Sequence, residues 1–327
     1  MHILLVSKAF IPVYAYGGTE RVIWDLGYAL SQLGHHVTYL AAAGSTCPFA
    51  EVLHIDPMVD LRMQIPEGID IVHFQFKPEF SLDEDFTKPY VVTEHGNTSA
   101  DNVLPLNSIF VSKNHAKRHG SDQFVYNGLN WDAYGPVDFE ARRQHYHFLG
   151  KASWRVKNVT GAIDVALAAG VELAVLGGTR LNLKRGFRFT WSPKIHFHGM
   201  VGGQDKSRLL NMSNGMIFPA RWHEPFGLSV IESLYFGCPV FATPYGSLPE
   251  LVCPEHGFLS ASKAEMVSSI QHQSFDMRVC HRHAVEHFNA DAMARGYLEK
   301  YEQVLDGERL SKNHPRATGR DVRLPWN

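Results

Sequence analysis

Apolar residues along this chain cluster in short runs separated by amphipathic stretches. His2–Val6 holds the unbroken run Ile3-Leu4-Leu5-Val6, which suits a strand buried on both faces. After a loop, Ser7–Gly18, carrying Pro12 and Gly17-Gly18, residues Val22, Ile23, Leu26, Leu30 and Leu33 recur at helical spacing. Thr19 reads as the N-cap of that helix and Gly34 as its stop. Further strands are expected at His36–Leu40, Ile69–Phe74, Tyr90–Thr93, Ile109–Ser112 and Phe124–Tyr126. A turn-rich segment, Asn127-Gly128 through Gly135-Pro136, then interrupts the pattern. It restarts with a strand at Tyr146–Leu149, a helix near Asn158–Ala169, and strands at Val171–Leu176, Ile195–His198, Met216–Pro219 and Val240–Ala242. Ala261 to Leu305 reads as mostly helical, and the polar tail Ser311–Asn327, with Pro315 and Pro325, as surface-wrapping or disordered. Strands alternating with helices imply parallel sheets built from βαβ units. The expected fold class is α/β, with two doubly wound Rossmann-like domains facing across a cleft. They are placed at 1–138 and 139–305, with a hinge near 127–145 and a C-terminal tail at 306–327.

One segment of the second half carries the most chemistry: Arg221-Trp222-His223-Glu224-Pro225-Phe226-Gly227-Leu228-Ser229-Val230-Ile231-Glu232. Pro225 suits a helix entrance, and Val230, Ile231, Leu234 and Tyr235 give the helix a buried side. Glu224 is expected just before the helix and Glu232 about two turns inside it. The backbone N–H groups of Phe226, Gly227, Leu228 and Ser229, at the positive end of a helix dipole, form a ready anion site. Two carboxylates flanking an anion site match what a sugar and a ribose joined by a diphosphate need. Taken alone, a glutamate pair is more often a solvated surface feature.

Composition narrows the class. The chain has 327 residues, long enough for two domains, and is 45% hydrophobic and 20% charged. A formal net charge of −2 argues against a nucleic-acid binder. No apolar run is long enough to span a bilayer, and the first residues lack the flank of a signal peptide. Cytoplasmic localisation is expected, with peripheral membrane contact left open. Cys47, Cys238, Cys253 and Cys280 form no CxxC pair, consistent with a reducing compartment. Among 19 histidines, the pairs His145/His147 and His196/His198 and the run Cys280-His281-Arg282-His283 do not show known zinc spacing, so no metal and no cofactor are expected.

In open α/β sheets, ligands bind beyond the carboxyl ends of strands. The loops expected there hold Gly17-Gly18 and Glu94-His95-Gly96 in the first half. In the second they hold Gly150-Lys151 through Lys157, Gly177-Gly178-Thr179, Gly199-Met200-Val201 and the Glu224–Glu232 segment. Gly177-Gly178 by itself reads as a strand-end turn. In this order, over about residues 2–305, the chain resembles a retaining nucleotide-sugar glycosyltransferase of the GT-B fold, glycosyltransferase family 4. Gly17-Gly18-Thr19-Glu20-Arg21-Val22 followed by Leu33-Gly34-His35-His36-Val37 is similar to the family's N-terminal glycine loop and helix, and Thr93-Glu94-His95 to its histidine segment. Asn127-Gly128-Leu129-Asn130 resembles the turn before the linker, and Leu149-Gly150-Lys151 through Lys157-Asn158 the phosphate loop. His198-Gly199-Met200-Val201 resembles the base-contacting loop. Glu224 to Glu232 resembles the paired-glutamate motif, and Tyr245-Gly246-Ser247-Leu248-Pro249-Glu250 the turn after it.

The resemblance implies roles. Glu232 would bind the ribose hydroxyls, and Glu224 would accept from the donor sugar. Lys151 and Lys157 would neutralise the leaving diphosphate with the amides of Gly227 to Ser229. Met200 and Val201 would meet the base. Gly17 or Gly18 would allow close approach of the first domain's backbone, and His95 would reach the sugar or the reaction centre. The implied partners are a nucleotide-sugar donor, UDP- or GDP-linked, and a hydroxyl acceptor that is a saccharide, a lipid-linked group or a small metabolite. Two departures stand out: Lys151 occupies a position where the family usually has Arg, leaving Arg155 to supply a bidentate fork, and Glu94 adds a carboxylate beside His95. The sequence shows no Asp-x-Asp of the metal-using GT-A enzymes, so metal-independent transfer is expected. The alternatives are another GT-B enzyme, epimerase-like or a phosphorylase, and a catalytically silent sugar-nucleotide-binding protein.

Overall fold

The computed structural model describes residues 1–12, 17–182, 188–319 and 323–327. Residues 13–16, within the expected loop Ser7–Gly18, and 320–322, within the expected tail, lie outside the described residues. The chain forms two compact units.

The first unit is a six-stranded parallel sheet. In chain order its elements are β1 (His2–Val6), α1 (Gly18–Gln32), β2 (His36–Ala41), β3 (Glu51–His54), β4 (Ile71–Phe74), β5 (Tyr90–Glu94), β6 (Ser108–Phe110) and α2 (Lys113–Arg118). The strand order is β3-β2-β1-β4-β5-β6. β1 lies at the centre and Ile3, Leu4, Leu5 and Val6 are fully buried, as a strand covered on both faces requires. Leu4, Val6, Leu40, Val72, Phe74 and Val92 form one core on a face of this sheet. The expected strand Phe124–Tyr126 is a single bridge, Phe110 to Phe124. β3 was not expected, because its partly exposed residues give no apolar run. Gly17, not Thr19, is the residue before α1, so Thr19 falls inside the first turn.

The second unit repeats the plan. Its elements are β7 (His145–Leu149), α3 (Val159–Ala169), β8 (Leu173–Leu176), the short hairpin β9 (Leu181–Asn182) and β10 (Arg188–Phe189), β11 (Ile195–Phe197), α4 (Gly203–Asn211), β12 (Ser213–Phe218), α5 (Leu228–Tyr235), β13 (Val240–Ala242), α6 (Leu248–Leu251), β14 (Gly257–Leu259), α7 (Lys263–His272) and α8 (Met277–His287). Its parallel sheet has the order β11-β8-β7-β12-β13-β14. His145 and His147 are structural. His145 meets the Leu209 carbonyl at 3.1 Å, while both ring nitrogens of His147 meet serine hydroxyls, Ser213 at 2.6 Å and Ser233 at 2.8 Å.

The domain boundaries differ from those expected at 138 and 305. The chain passes from the first unit to the second after Trp131, and returns at Phe288 with α9 (Ala290–Leu305). Helix α9 therefore completes the first unit rather than ending the second. The reason is a buried polar network: His73 lies between the Tyr301 hydroxyl (2.7 Å) and the Thr93 hydroxyl (2.7 Å), which in turn meets the Tyr297 hydroxyl at 2.9 Å. Each such bond contributes about 0.5–1.5 kcal/mol net. Gly128 permits the return crossing, since a Cβ there would sit 2.0 Å from the Asn289 carbonyl oxygen. The tail is ordered where described. Leu104 and Arg316 donate backbone N–H groups to Pro315 and His119 carbonyls in the first unit, and Leu324 and Asn327 to Arg221 and Ala261 in the second.

Candidate functional site

The second unit gathers its chemistry at the carboxyl ends of β7, β8, β11 and β12. Three loops are knitted there through glycines. Gly150 N–H donates to Leu176 O, Ala152 N–H to Gly177 O, and Gly177 N–H to Gly199 O. Gly177 has φ +126, and a Cβ on it would lie 2.1 Å from Gly150 O. The Gly177-Gly178 pair is thus the seat of the Gly150-Lys151 loop, more than a turn. Beside it, Gly178, Thr179, Arg180, His196, Phe197, His198 and Gly199 line a cavity of about 420 Å³. Met200 is exposed and Val201 half-buried in the loop that follows.

Lys157 and Glu224 meet directly. The Lys157 ammonium donates to both carboxylate oxygens of Glu224, at 2.8 and 2.7 Å, and Trp222 Nε1–H donates to Oε2 at 2.7 Å. The pair is largely buried, with side-chain exposures of 14% and 8%, which places it outside the class of weak surface ion pairs. Lys157 also lies 4.9 Å from the Trp222 ring centroid and 5.2 Å from that of Phe218. Asn158, in the left-handed region at φ 57, caps α3 and donates through Nδ2 to Pro219 O, while Arg221 N–H reaches Val156 O. These bonds tie the lysine loop to the glutamate segment. Lys151 sits 5.4 Å from the centre of the Trp154 ring, which packs edge-on against Trp222. Arg155 is exposed on the 3₁₀ turn Arg155–Lys157.

Glu224 is held from below by the Tyr245–Glu250 turn. Gly246, at φ +66, bridges Glu224 so closely that a Cβ would fall 2.3 Å from the Glu224 backbone. Ser247 N–H donates to Glu224 O, and the Ser247 hydroxyl donates to Phe226 O. Helix α5 begins later than its Pro225 suggested. Gly227, left-handed at φ 108, precedes it, and the first bonds run from Val230 and Ile231 to Gly227 O. Leu228 and Ser229 are therefore first-turn residues, whose N–H groups lie ahead of the intrahelical ladder. Glu232 is about one turn inside rather than two. Its Oε1 accepts from the Lys206 ammonium at 2.5 Å and from the Tyr134 hydroxyl at 2.6 Å. Neither partner was anticipated. The signal existed for Lys206, which shares the buried face of α4 with Leu209 and Leu210 at i, i+3 and i+4.

The first unit brings its own candidates to the ends of β4 and β5. His95 Nε2 lies 2.9 Å from Gln75 Oε1, and burial lowers its pKa to about 4, so the ring is neutral near pH 7. Gln75 is buried, and its Nε2 has no hydrogen-bond partner. Glu94 accepts from Gly96 N–H at 3.2 Å, and burial raises its pKa to about 7. Gly17 is extended, with φ 178, and Gly18 opens α1. Neither adopts a left-handed backbone, so what these glycines supply there is the absence of a side chain.

Residues 156–272 match the sequence family described as glycosyl transferases group 1. Solved structures agree on architecture. AviGT4, a glycosyltransferase involved in avilamycin A biosynthesis, superposes with a TM-score of 0.70 at 19% identity, covering 94% of this chain and 98% of that one. Anabaena HepE in complex with UDP and glucose gives 0.64 at 16% identity, covering 93% and 100%. The fold is that of the GT-B glycosyltransferases. A D-rhamnosyltransferase, WbpZ, of Pseudomonas aeruginosa is 37% identical over 54 residues. That match spans 16% of this chain and 14% of the relative's length. Among the described residues, no helix is long and apolar enough to cross a membrane.

Proposed function

We propose that this chain is a retaining glycosyltransferase of family 4 that moves a sugar from a UDP- or GDP-sugar to a hydroxyl acceptor without a catalytic metal. The observation that carries the reading is the pair of buried, lysine-partnered glutamates, Glu224 and Glu232, on either side of the first turn of α5. In this reading the diphosphate lies against the Leu228 and Ser229 amides with Lys151 beside it, Arg155 supplying a second cation. The ribose meets the Glu232 carboxylate beside Lys206 and Tyr134, and the base enters the cavity next to Met200 and Val201. The matches to glycosyl transferases group 1 and to a structure holding UDP and glucose support this assignment.

In this reading Glu224 has a binding role. With two donors from Lys157 and one from Trp222, about one of its four lone-pair sites remains for a sugar hydroxyl. A carboxylate so neutralised is a poor covalent nucleophile, which favours front-face attack, with the departing phosphate oxygen taking the acceptor's proton. Lys157 stabilises charge developing on that phosphate while holding Glu224, the kind of preorganised electrostatics that dominates such steps. His95, with its proton directed at Gln75, offers Nδ1 as a neutral acceptor for a sugar or acceptor hydroxyl. The cytoplasm, with peripheral contact at a membrane, is the proposed location.

Thermal stabilisation by a panel of UDP- and GDP-sugars tests the donor assignment. A ligand at about 100 Kd adds roughly 2.7 kcal/mol, and the stabilising base and sugar identify the donor. A panel in which no nucleotide sugar stabilises the protein would overturn it. Slow release of nucleoside diphosphate without acceptor would separate a live enzyme from a silent binding protein.

A further inference from the structure

The turn between α6 and β14 holds a cluster that the transferase reading does not use. Cys253, Glu255 and His256 each present one ligand atom, thiol sulfur, carboxylate oxygen and ring nitrogen, all within 4.8 Å of one another. The backbone preorganises them. His256 N–H donates to Cys253 O at 2.9 Å across a β-turn with Pro254 at its second position, so residues three apart in sequence are neighbours in space. His256 is then fixed to the sheet, its carbonyl accepting from Val240 N–H at 3.0 Å.

The imidazole is unusually placed. His256 is 8% exposed, and its Nδ1 is buried with no hydrogen-bond partner. Buried polar atoms are normally hydrogen-bonded, so the open Nδ1 is available to a ligand. The ring plane is locked by His283 of α8, stacked on it at 3.8 Å and 13°, and His283 is anchored to Leu251 O at 3.1 Å.

We propose that Cys253, Glu255 and His256 form a site for a divalent transition ion of zinc type. Thiolate, imidazole and carboxylate together are ligands that zinc accepts tetrahedrally, with a fourth position for water. His283 is a positioning residue that orients the ring. His256 immediately precedes β14, so the site lies at the amino edge of the sheet, opposite the carboxyl ends that carry the lysine and glutamate loops. The ion is a staple for the α6–β14 turn and takes no part in transfer.

Cobalt titration of the chelator-stripped full chain tests this. Wild-type protein is expected to bind one cobalt with the near-ultraviolet charge-transfer absorption of a thiolate ligand, displaced by zinc. Cys253→Ser should abolish that band, and Glu255→Gln, on an exposed side chain, should weaken binding by more than the roughly tenfold that losing an outer-shell partner costs. His281→Ala, outside the cluster, should change nothing. Zinc should raise the thermal midpoint of the wild type and leave Cys253→Ser unmoved. Cobalt bound without the thiolate band, or with a spectrum that Cys253→Ser and Glu255→Gln leave intact, means adventitious histidine binding and overturns the proposal.

Discussion

Removing Lys157 should unmask how much of the site depends on the Lys157–Glu224 pair. In Lys157→Met the Glu224 carboxylate, 7% exposed, keeps only the Trp222 N–H as a donor. Stranding a buried charge this way costs about 3–5 kcal/mol, and the lost contact with the Trp222 and Phe218 rings adds about 0.5–2 kcal/mol. At roughly 2–4 °C per kcal/mol for a domain of this size, the midpoint should fall by about 7–28 °C. Glu224→Gln should cost nearly as much, because it leaves the ammonium with an amide oxygen. The double variant Lys157→Met/Glu224→Gln should recover much of the loss, since removing both charges removes the desolvation penalty. Urea unfolding followed by tryptophan fluorescence reads all three, Trp154 and Trp222 lying beside the pair. A single variant within about 1 kcal/mol of wild type, the range of exposed pairs, would refute the buried-pair argument.

Glu232→Gln keeps the Tyr134 bond and loses the charge opposite Lys206, so nucleoside diphosphate affinity measured by calorimetry should fall while turnover at saturation changes less. An unchanged affinity would remove Glu232 from the ribose site. His73, His115 and His147 are buried and have pKa values depressed below 6.5 by that burial, His115 and His147 to about 3. The unfolded chain therefore binds more protons below about pH 6.5, and stability present above that pH is lost as pH falls toward 3. The raised pKa values of Glu94, to about 7, and of Asp164 act in the opposite sense, but the lowered histidines, His95 and His145 among them, outnumber these two carboxyls. Urea midpoints should accordingly drop from pH 7 to pH 5, and a higher midpoint at pH 5 would contradict this. His95→Ala should retain nucleotide affinity and lose transfer, whereas normal transfer would make the histidine structural.

The parallel sheets were legible because their central strands are continuous apolar runs, as at Ile3–Val6, and because glycines mark their carboxyl-end loops. The edge strands β3 and β14 were not, since Glu51–His54 is partly exposed and Gly257–Leu259 too short for a pattern. Helix α9 reads as amphipathic, but nothing local says which sheet it covers; Tyr297 and Tyr301 decide that through His73 and Thr93, some 200 residues away. The Lys157–Glu224 contact joins two motifs that were each visible as a motif, while the pairing itself depends on the fold. Lys206 was readable as a lysine on an apolar helix face. Cys253 and His256 show no recognised zinc spacing in the sequence, and their turn acquires meaning only when His283 is stacked against it.

Nucleoside diphosphate release from UDP- and GDP-sugars, followed with and without a panel of hydroxyl acceptors and in excess chelator, tests the central claim most directly. Slow release without acceptor and faster release with one are expected. Retention of anomeric configuration in the product, little effect of chelator, and a sharp fall in kcat for Lys157→Ala are expected as well. Absence of release from every donor, or activity abolished by chelator and restored by manganese, would contradict metal-independent sugar transfer.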